Sequence, residues 1–204
     1  MNSSLLLGIA TFLYLIIMAV CFLQLFVRNK IILQLMYTFT VCALVIHAAG
    51  WCLRWYESYE MGHGHIPLSN MYESLISLSM CLVIVFLVIV KKYKTDTLGV
   101  FVFPIVSLSM AYASISPNIQ KNIEPLIPAL QSNWLTYHVI TCFLGYAAFA
   151  VSFGASIAYL LKRDAGNPQQ DGVLPLKSVL DEVIYKANAV GFLMLGIGII
   201  TGAV

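Results

Sequence analysis

Long apolar runs separated by short polar punctuation dominate this chain. Residues 5–27, 31–53, 71–90, 98–115 and 134–161 are apolar over at least eighteen positions each. A sixth run opens at Ala187 behind the charged positions Asp181, Glu182 and Lys186. About 20 apolar residues in a helix cross a hydrocarbon core of roughly 30 Å. The pattern therefore predicts six spans: Leu5–Val27, Ile31–Leu53, Met71–Val90, Leu98–Ile115, Trp134–Leu161, and a last helix that runs to the final residue. The predicted loops are Arg28–Lys30, Trp55–Asn70, Lys91–Lys94, Ser116–Asn133 and Lys162–Lys177. Asn70 with Glu73 three residues on has capping-box spacing, and Asn133 is placed to cap the fifth helix. Pro125–Leu130 is expected along the membrane interface.

The fifth run carries a second pattern. His138 stands about one turn inside it, and Thr141, Gly145, Ala148, Ser152 and Ala155 follow at steps of three and four. Those steps place an imidazole above a face of small residues. Such a face lets a neighbouring membrane helix approach closely, because packing rather than hydrophobic drive holds helices together in lipid. Gly198 and Gly202 in the sixth run have the spacing for the same close approach.

Composition fixes the class. Of 204 residues 60% are hydrophobic and 10% charged, more apolar than a water-exposed surface allows, so the fold is an all-α polytopic transmembrane bundle. The N-terminus lacks a basic n-region and its first run is long, which favours a retained span over a cleaved signal. Internal repeats and low-complexity tracts are absent. The five cysteines (Cys21, Cys42, Cys52, Cys81, Cys142) all fall in apolar runs without C-x-x-C spacing and read as small buried hydrophobes. Eight of the eleven basic residues fall in the first, third and fifth loops, against Arg54 and Lys121 in the second and fourth. The positive-inside rule then puts the N-terminus outside, with the loops of His63, His65 and Pro125 outside and His138 near the outer surface.

Candidate chemistry is sparse. Gly-rich phosphate loops, paired catalytic carboxylates and Ser/His/Asp sets are missing, and no basic surface suggests nucleic acid. His138 is the strongest candidate, since ionisable groups within spans tend to be functional. His47 shares a face with Trp51 and Arg54 and reads as a packing histidine bonded to a neighbouring helix. His63 and His65 flank one glycine with no carboxylate or cysteine to complete a metal set, so they read as a solvated loop. Trp51, Trp55 and Trp134 all fall at the outer boundary. An interface belt explains them, and so does an aromatic platform for a flat ligand such as a porphyrin with an axial imidazole.

Two stretches resemble a known family. Gly64–Ser79, GHIPLSNMYESLISLS, is similar to the G-H-x-P-x-S-N-x-Y-E-S-L segment of the CcsA/ResC cytochrome c biogenesis proteins. Leu126–Phe153 is similar to that family's P-A-L-x-S-x-W-L-x-x-H-V helix opening. Order and spacing agree over essentially the whole chain. The resemblance implies one transmembrane haem-handling domain over residues 1–204, acting in System II cytochrome c assembly. Haem would be a transiently bound substrate, presented on the outer face for attachment to the C-x-x-C-H motif of apocytochrome c beside a ResB-type membrane partner. It further implies that His138 is the first of two external haem-ligand histidines; read together with the aromatic platform, the expected haem-binding residues are His138, Trp134, Trp51 and Trp55. Any enzymatic role would be part of a cytochrome c haem lyase complex. The implied location is a bacterial plasma membrane, or a thylakoid membrane if the gene is plastid-encoded. The family's Trp-rich W-G-x-Y-W-x-W-D-P-K-E-x-W segment and second external histidine do not follow the sixth run, so the sequence is expected to be the N-terminal portion of a family member. Two competing readings are a b-type haem electron carrier using His47 and His138, and a haem-free small-molecule permease.

Overall fold

A computed structural model describes residues 2–27, 29–126, 131–162 and 174–203. Among the described residues the chain forms six α-helices: α1 Ser3–Val27, α2 Lys30–Glu60, α3 Met71–Tyr93, α4 Gly99–Ile115, α5 Asn133–Leu161 and α6 Lys177–Gly202. A single 3-10 turn, Asp96–Leu98, leads into α4, and no strand occurs among the described residues. All six helices are long and apolar enough to cross a membrane, so the protein is a multi-pass helical membrane protein. Arg28, Arg163, Val204 and residues 127–130, where part of the expected interfacial segment falls, lie outside the described residues.

Helix ends differ from the sequence reading in ways that side chains explain. α2 runs to Glu60 rather than stopping at Leu53, so Trp55 is helical and the loop shrinks to residues 61–70. At 31 residues, α2 is roughly 46 Å long, about 16 Å more than a hydrocarbon core. Its last two turns survive because most of the charged and backbone polar groups there find partners, although the Trp55 indole N–H is buried without one. Arg54 pairs with Glu73, Glu57 accepts from the backbone N and Oγ of Ser3, and the Ser58 carbonyl accepts from His63 N and Gly64 N. Gly62 and Gly64, at φ +79° and +65°, then turn the chain through left-handed space that a Cβ would disfavour.

α3 is capped as its sequence predicts, with Asn70 Oδ1 accepting from Glu73 N at 2.9 Å. The Glu73 carboxylate, however, reaches Ser69 rather than the Asn70 amide. α5 is capped by Ser132, whose Oγ accepts from Trp134 N, and Asn133 is its first helical residue instead of its cap. Among the cysteines Cys21 and Cys142 are buried, but Cys42 and Cys52 are exposed on the protein surface; all five are free thiols.

The core lies between α1, α3, α4 and α5. Tyr14, Phe86, Phe103, Val106, Met110 and Val151 are its fully buried centre. α6 packs chiefly on α5, and α2 on α1 and α3. Loops alternate ends, so the bundle has two polar caps. One holds Lys91, Lys92, Lys94, Lys162, Lys177 and Lys186, several anchored on aromatic faces: Lys92 and Lys186 over Tyr93, and Lys177 over Tyr159. The opposite cap gathers Ser3, Arg54, Glu57, His65, Glu73 and Lys121, together with the start of α5 and the end of α6.

Candidate functional site

The small face of α5 packs on α6, as its spacing predicts. Ala148, Ser152 and Ala155 are buried. A Cβ at Gly145 would lie 3.1 Å from both Gly191 O and Leu195 N, so here the two backbones touch. At the mouth of this seam, His138 Nδ1 lies 2.7 Å from the carbonyl oxygen of Gly198. A carbonyl only accepts, so Nδ1 carries the proton and donates. The same oxygen accepts from Thr201 Oγ1 at 3.0 Å, and Cys142 Sγ sits 3.8 Å from Nδ1. Gly202 leaves space for the ring: a Cβ there would fall 2.5 Å from Nδ1. Nε2 has no protein partner among the described residues, and the residue as a whole is half-buried. This donor state, with one nitrogen anchored and the other open, suits axial ligation of haem iron.

The tryptophans fall into two groups. On α2, Trp51 and Trp55 meet edge to face at 5.9 Å, and Trp55 continues to Tyr59 at 6.3 Å. Trp51 Nε1 donates to Ser77 Oγ at 2.8 Å, which in turn donates to Pro67 O. The indole therefore ties α2 to α3 and to the loop between them. On α5, Trp134 is 49% exposed and meets Tyr137 edge to face at 6.0 Å. No ring contact joins the two groups among the described residues. Trp134 accompanies His138 at the α5 opening, whereas Trp51 and Trp55 serve the neighbouring loop.

That loop encloses a separate space. A cavity of about 700 Å³ is lined by Trp55, Tyr59, His63, His65, Gln131 and Thr136. Thr136 lies on the opposite side of α5 from His138, at about 100° of helix rotation per residue. The expected solvated histidine loop is corrected at His65, which is buried at 7% exposure. Its Nε2 lies 2.8 Å from Glu124 O and its Nδ1 3.0 Å from Ile66 O, so the imidazole ties the 61–70 loop to the loop before α5. His63 stacks against it at 6.5 Å.

His47 is fully buried and its Nδ1 meets Tyr14 Oη at 3.2 Å, the packing role its position predicts. It faces α1 while His138 faces α6, so the structure does not bring these two imidazoles together. The feature that sequence reasoning missed is the partner of His138. The signal was present in Gly198-x-x-x-Gly202, but a backbone carbonyl has no sequence letter of its own.

Comparison with known proteins gives a consistent set. Residues 68–204 match the family described as cytochrome C assembly protein. The cytochrome c biogenesis protein CcsA of Chlorella vulgaris is 32% identical, over 82% of this chain and 61% of its own length. The CcsA of Parasynechococcus marenigrum is 34% identical over 74% and 57%, and that of Chlamydomonas reinhardtii 36% over 74% and 43%. The chain thus spans between two-fifths and three-fifths of the length of these relatives.

Proposed function

The chain belongs to the cytochrome c assembly protein family, and on that premise we propose that it binds haem as a substrate at the mouth of the α5–α6 seam and presents it on the outer face for attachment to apocytochrome c. The observation that carries this reading is the donor state of His138. Its Nδ1–H is held by the Gly198 carbonyl, and its Nε2 is left open at the end of the bundle.

In this reading His138 Nε2 donates one axial bond to the iron. Trp134 and Tyr137, exposed beside it, offer aromatic surface to a flat ring. The seam below is lined by small residues, and at Gly145 the backbones of α5 and α6 meet, so the imidazole is supported from beneath by packed helix. Bond formation between haem vinyl groups and the thiols of the C-x-x-C-H motif belongs to the two substrates. The protein contributes position, one ligand and a surface of low polarity. A ResB-type membrane protein is the proposed partner, and a bacterial plasma membrane or thylakoid membrane the proposed location.

The test is spectroscopic. Purified protein reconstituted with haem is expected to show an imidazole-ligated Soret band, with His138→Ala losing most bound haem. Added free imidazole should restore part of that loss by filling the axial position. Trp134→Ala is expected to weaken binding less than His138→Ala. Undiminished haem absorption in His138→Ala would remove the assignment.

A further inference from the structure

The last turn of α6 meets the imidazole of His138 at two points. The Gly198 oxygen receives Nδ1–H at 2.7 Å, and the bare Cα of Gly202 gives the ring the space to lie there. We infer that this turn is the positioning element of the site: Gly198 fixes the Nδ1–H tautomer, and Gly202 fixes the ring plane that aims Nε2 outward. The inference deepens the proposed haem role and rests on it.

Three observations carry it. First, a neutral imidazole in water exchanges its proton between both nitrogens, and only a fixed acceptor at one of them selects a tautomer. Here the acceptor is main chain, held within a helix, and so cannot rotate away as a carboxylate side chain can. Second, an N–H donated to a fixed carbonyl makes the distal nitrogen of the ring a more electron-rich ligand. Third, the geometry tolerates no side chain. A Cβ at position 202 would fall 2.5 Å from Nδ1 and 2.6 Å from Cε1, and one at 198 would fall 2.5 Å from Cys142 Sγ. The obstructed atoms at 202 belong to a ring free to turn about two torsions. Gly202→Ala therefore swings the imidazole off the carbonyl without forcing the helices apart. Gly198→Ala meets both the Cys142 thiol and its backbone N at 3.3 Å, so it disturbs the helix seam as well. Position 202 separates aim from packing, and position 198 does not.

The experiment compares wild type, Gly202→Ala, His138→Ala and Gly196→Ala in nanodiscs. Gly196 has nothing within 4 Å of its would-be Cβ and controls for alanine in α6. With nitrogen-15-labelled histidine and no haem, wild type and Gly196→Ala are expected to show His138 as the Nδ1–H tautomer, and Gly202→Ala a mixture or the Nε2–H form. In haemin titrations, Gly202→Ala is expected to bind roughly 10- to 100-fold more weakly than wild type, the usual effect of losing a ligand's outer partner. Its residual complex should show a shifted Soret band and reduction potential, while thermal unfolding matches Gly196→Ala. A wild-type His138 with its proton on Nε2 overturns the inference. So does unchanged haemin affinity in Gly202→Ala when His138→Ala has lost it. Unchanged affinity in His138→Ala instead overturns the ligand reading, and the tautomer result distinguishes that failure from a failure of positioning.

Discussion

Arg54 Nε donates to Glu73 Oε1 at 2.8 Å, and both side chains are at most 2% exposed. The pair is a junction of four segments. The second Glu73 oxygen accepts from Ser69 N and Oγ, Arg54 Nη2 donates to Lys121 O at 2.9 Å, and the guanidinium lies 4.9 Å from the Tyr72 ring centre. α2, α3 and both loops of this cap are thus held by one charge pair whose remaining donors and acceptors are largely satisfied. That satisfaction lets two charges survive burial, since a bare pair would lose more in desolvation than it gains in attraction.

Removing either partner strands the other charge. Arg54→Met or Glu73→Gln is expected to cost about 3–5 kcal/mol in denaturant unfolding from detergent micelles. The double variant Arg54→Met with Glu73→Met is expected to lose less than either single change, because no uncompensated charge remains. If the double loses as much as the two singles added, the residues are not acting as a pair.

This junction also marks how far the sequence could be read. Six apolar runs and the Asn70 cap were legible because hydropathy and capping are local properties. The small face from Thr141 to Ala155 was legible because helical periodicity displays it. Arg54 read as a loop charge, because its partner lies nineteen residues away and burial of a charge is decided by that partner. His65 read as solvated for the same reason: Glu124 O, 59 residues on, is what buries it. At the candidate site the imidazole could be named and the carbonyl that orients it could not.

Orientation in the membrane follows from the two caps. The cap with Lys91, Lys92, Lys94, Lys162, Lys177 and Lys186 is expected to face the cytoplasm or stroma, and the Arg54–Glu73 cap the outer side. Phosphatase reporters, active only outside, would be fused after Pro67, Lys94, Lys121 and Lys162. High activity at Pro67 and Lys121 with low activity at Lys94 and Lys162 is expected. The reverse pattern would put His138 at the inner surface and end the outer-face reading.

His65 is expected to act as a tie between loops. His65→Ala should speed hydrogen exchange of the 62–68 backbone and lower stability by about 1 kcal/mol, the net worth of a typical hydrogen bond. Replacing both His63 and His65 with alanine should leave bound metal unchanged, because no third ligand stands near them among the described residues. A stoichiometric loss of zinc or copper in that variant would show a metal site where the fold places a clasp.

The glycines of the α5–α6 seam offer the sharpest separation of packing from propensity. Alanine is favoured over glycine within a helix by about 1 kcal/mol, so Gly→Ala in open surroundings should stabilise. Gly196 is such a position, with nothing within 4 Å of its would-be Cβ. At Gly145 the added carbon would press on Gly191 O and Leu195 N at 3.1 Å, and backbone atoms cannot rotate aside. Gly145→Ala must therefore move α6 outward by tenths of an ångström, and Gly145→Val by more. The cost expected is about 1–3 kcal/mol, as for other overpacked sites. Such a shift also carries Gly198 away from His138, since both contacts lie on one rigid pair of helices. Unfolding of Gly145→Ala, Gly145→Val and Gly196→Ala should thus rank in opposite directions from propensity at the first site and along it at the second. Haem retention should fall in the Gly145 series in step with stability and stay at the wild-type level in Gly196→Ala. Equal stability of Gly145→Val and wild type would mean that the two helices do not meet backbone to backbone, and the support beneath His138 would have to come from elsewhere.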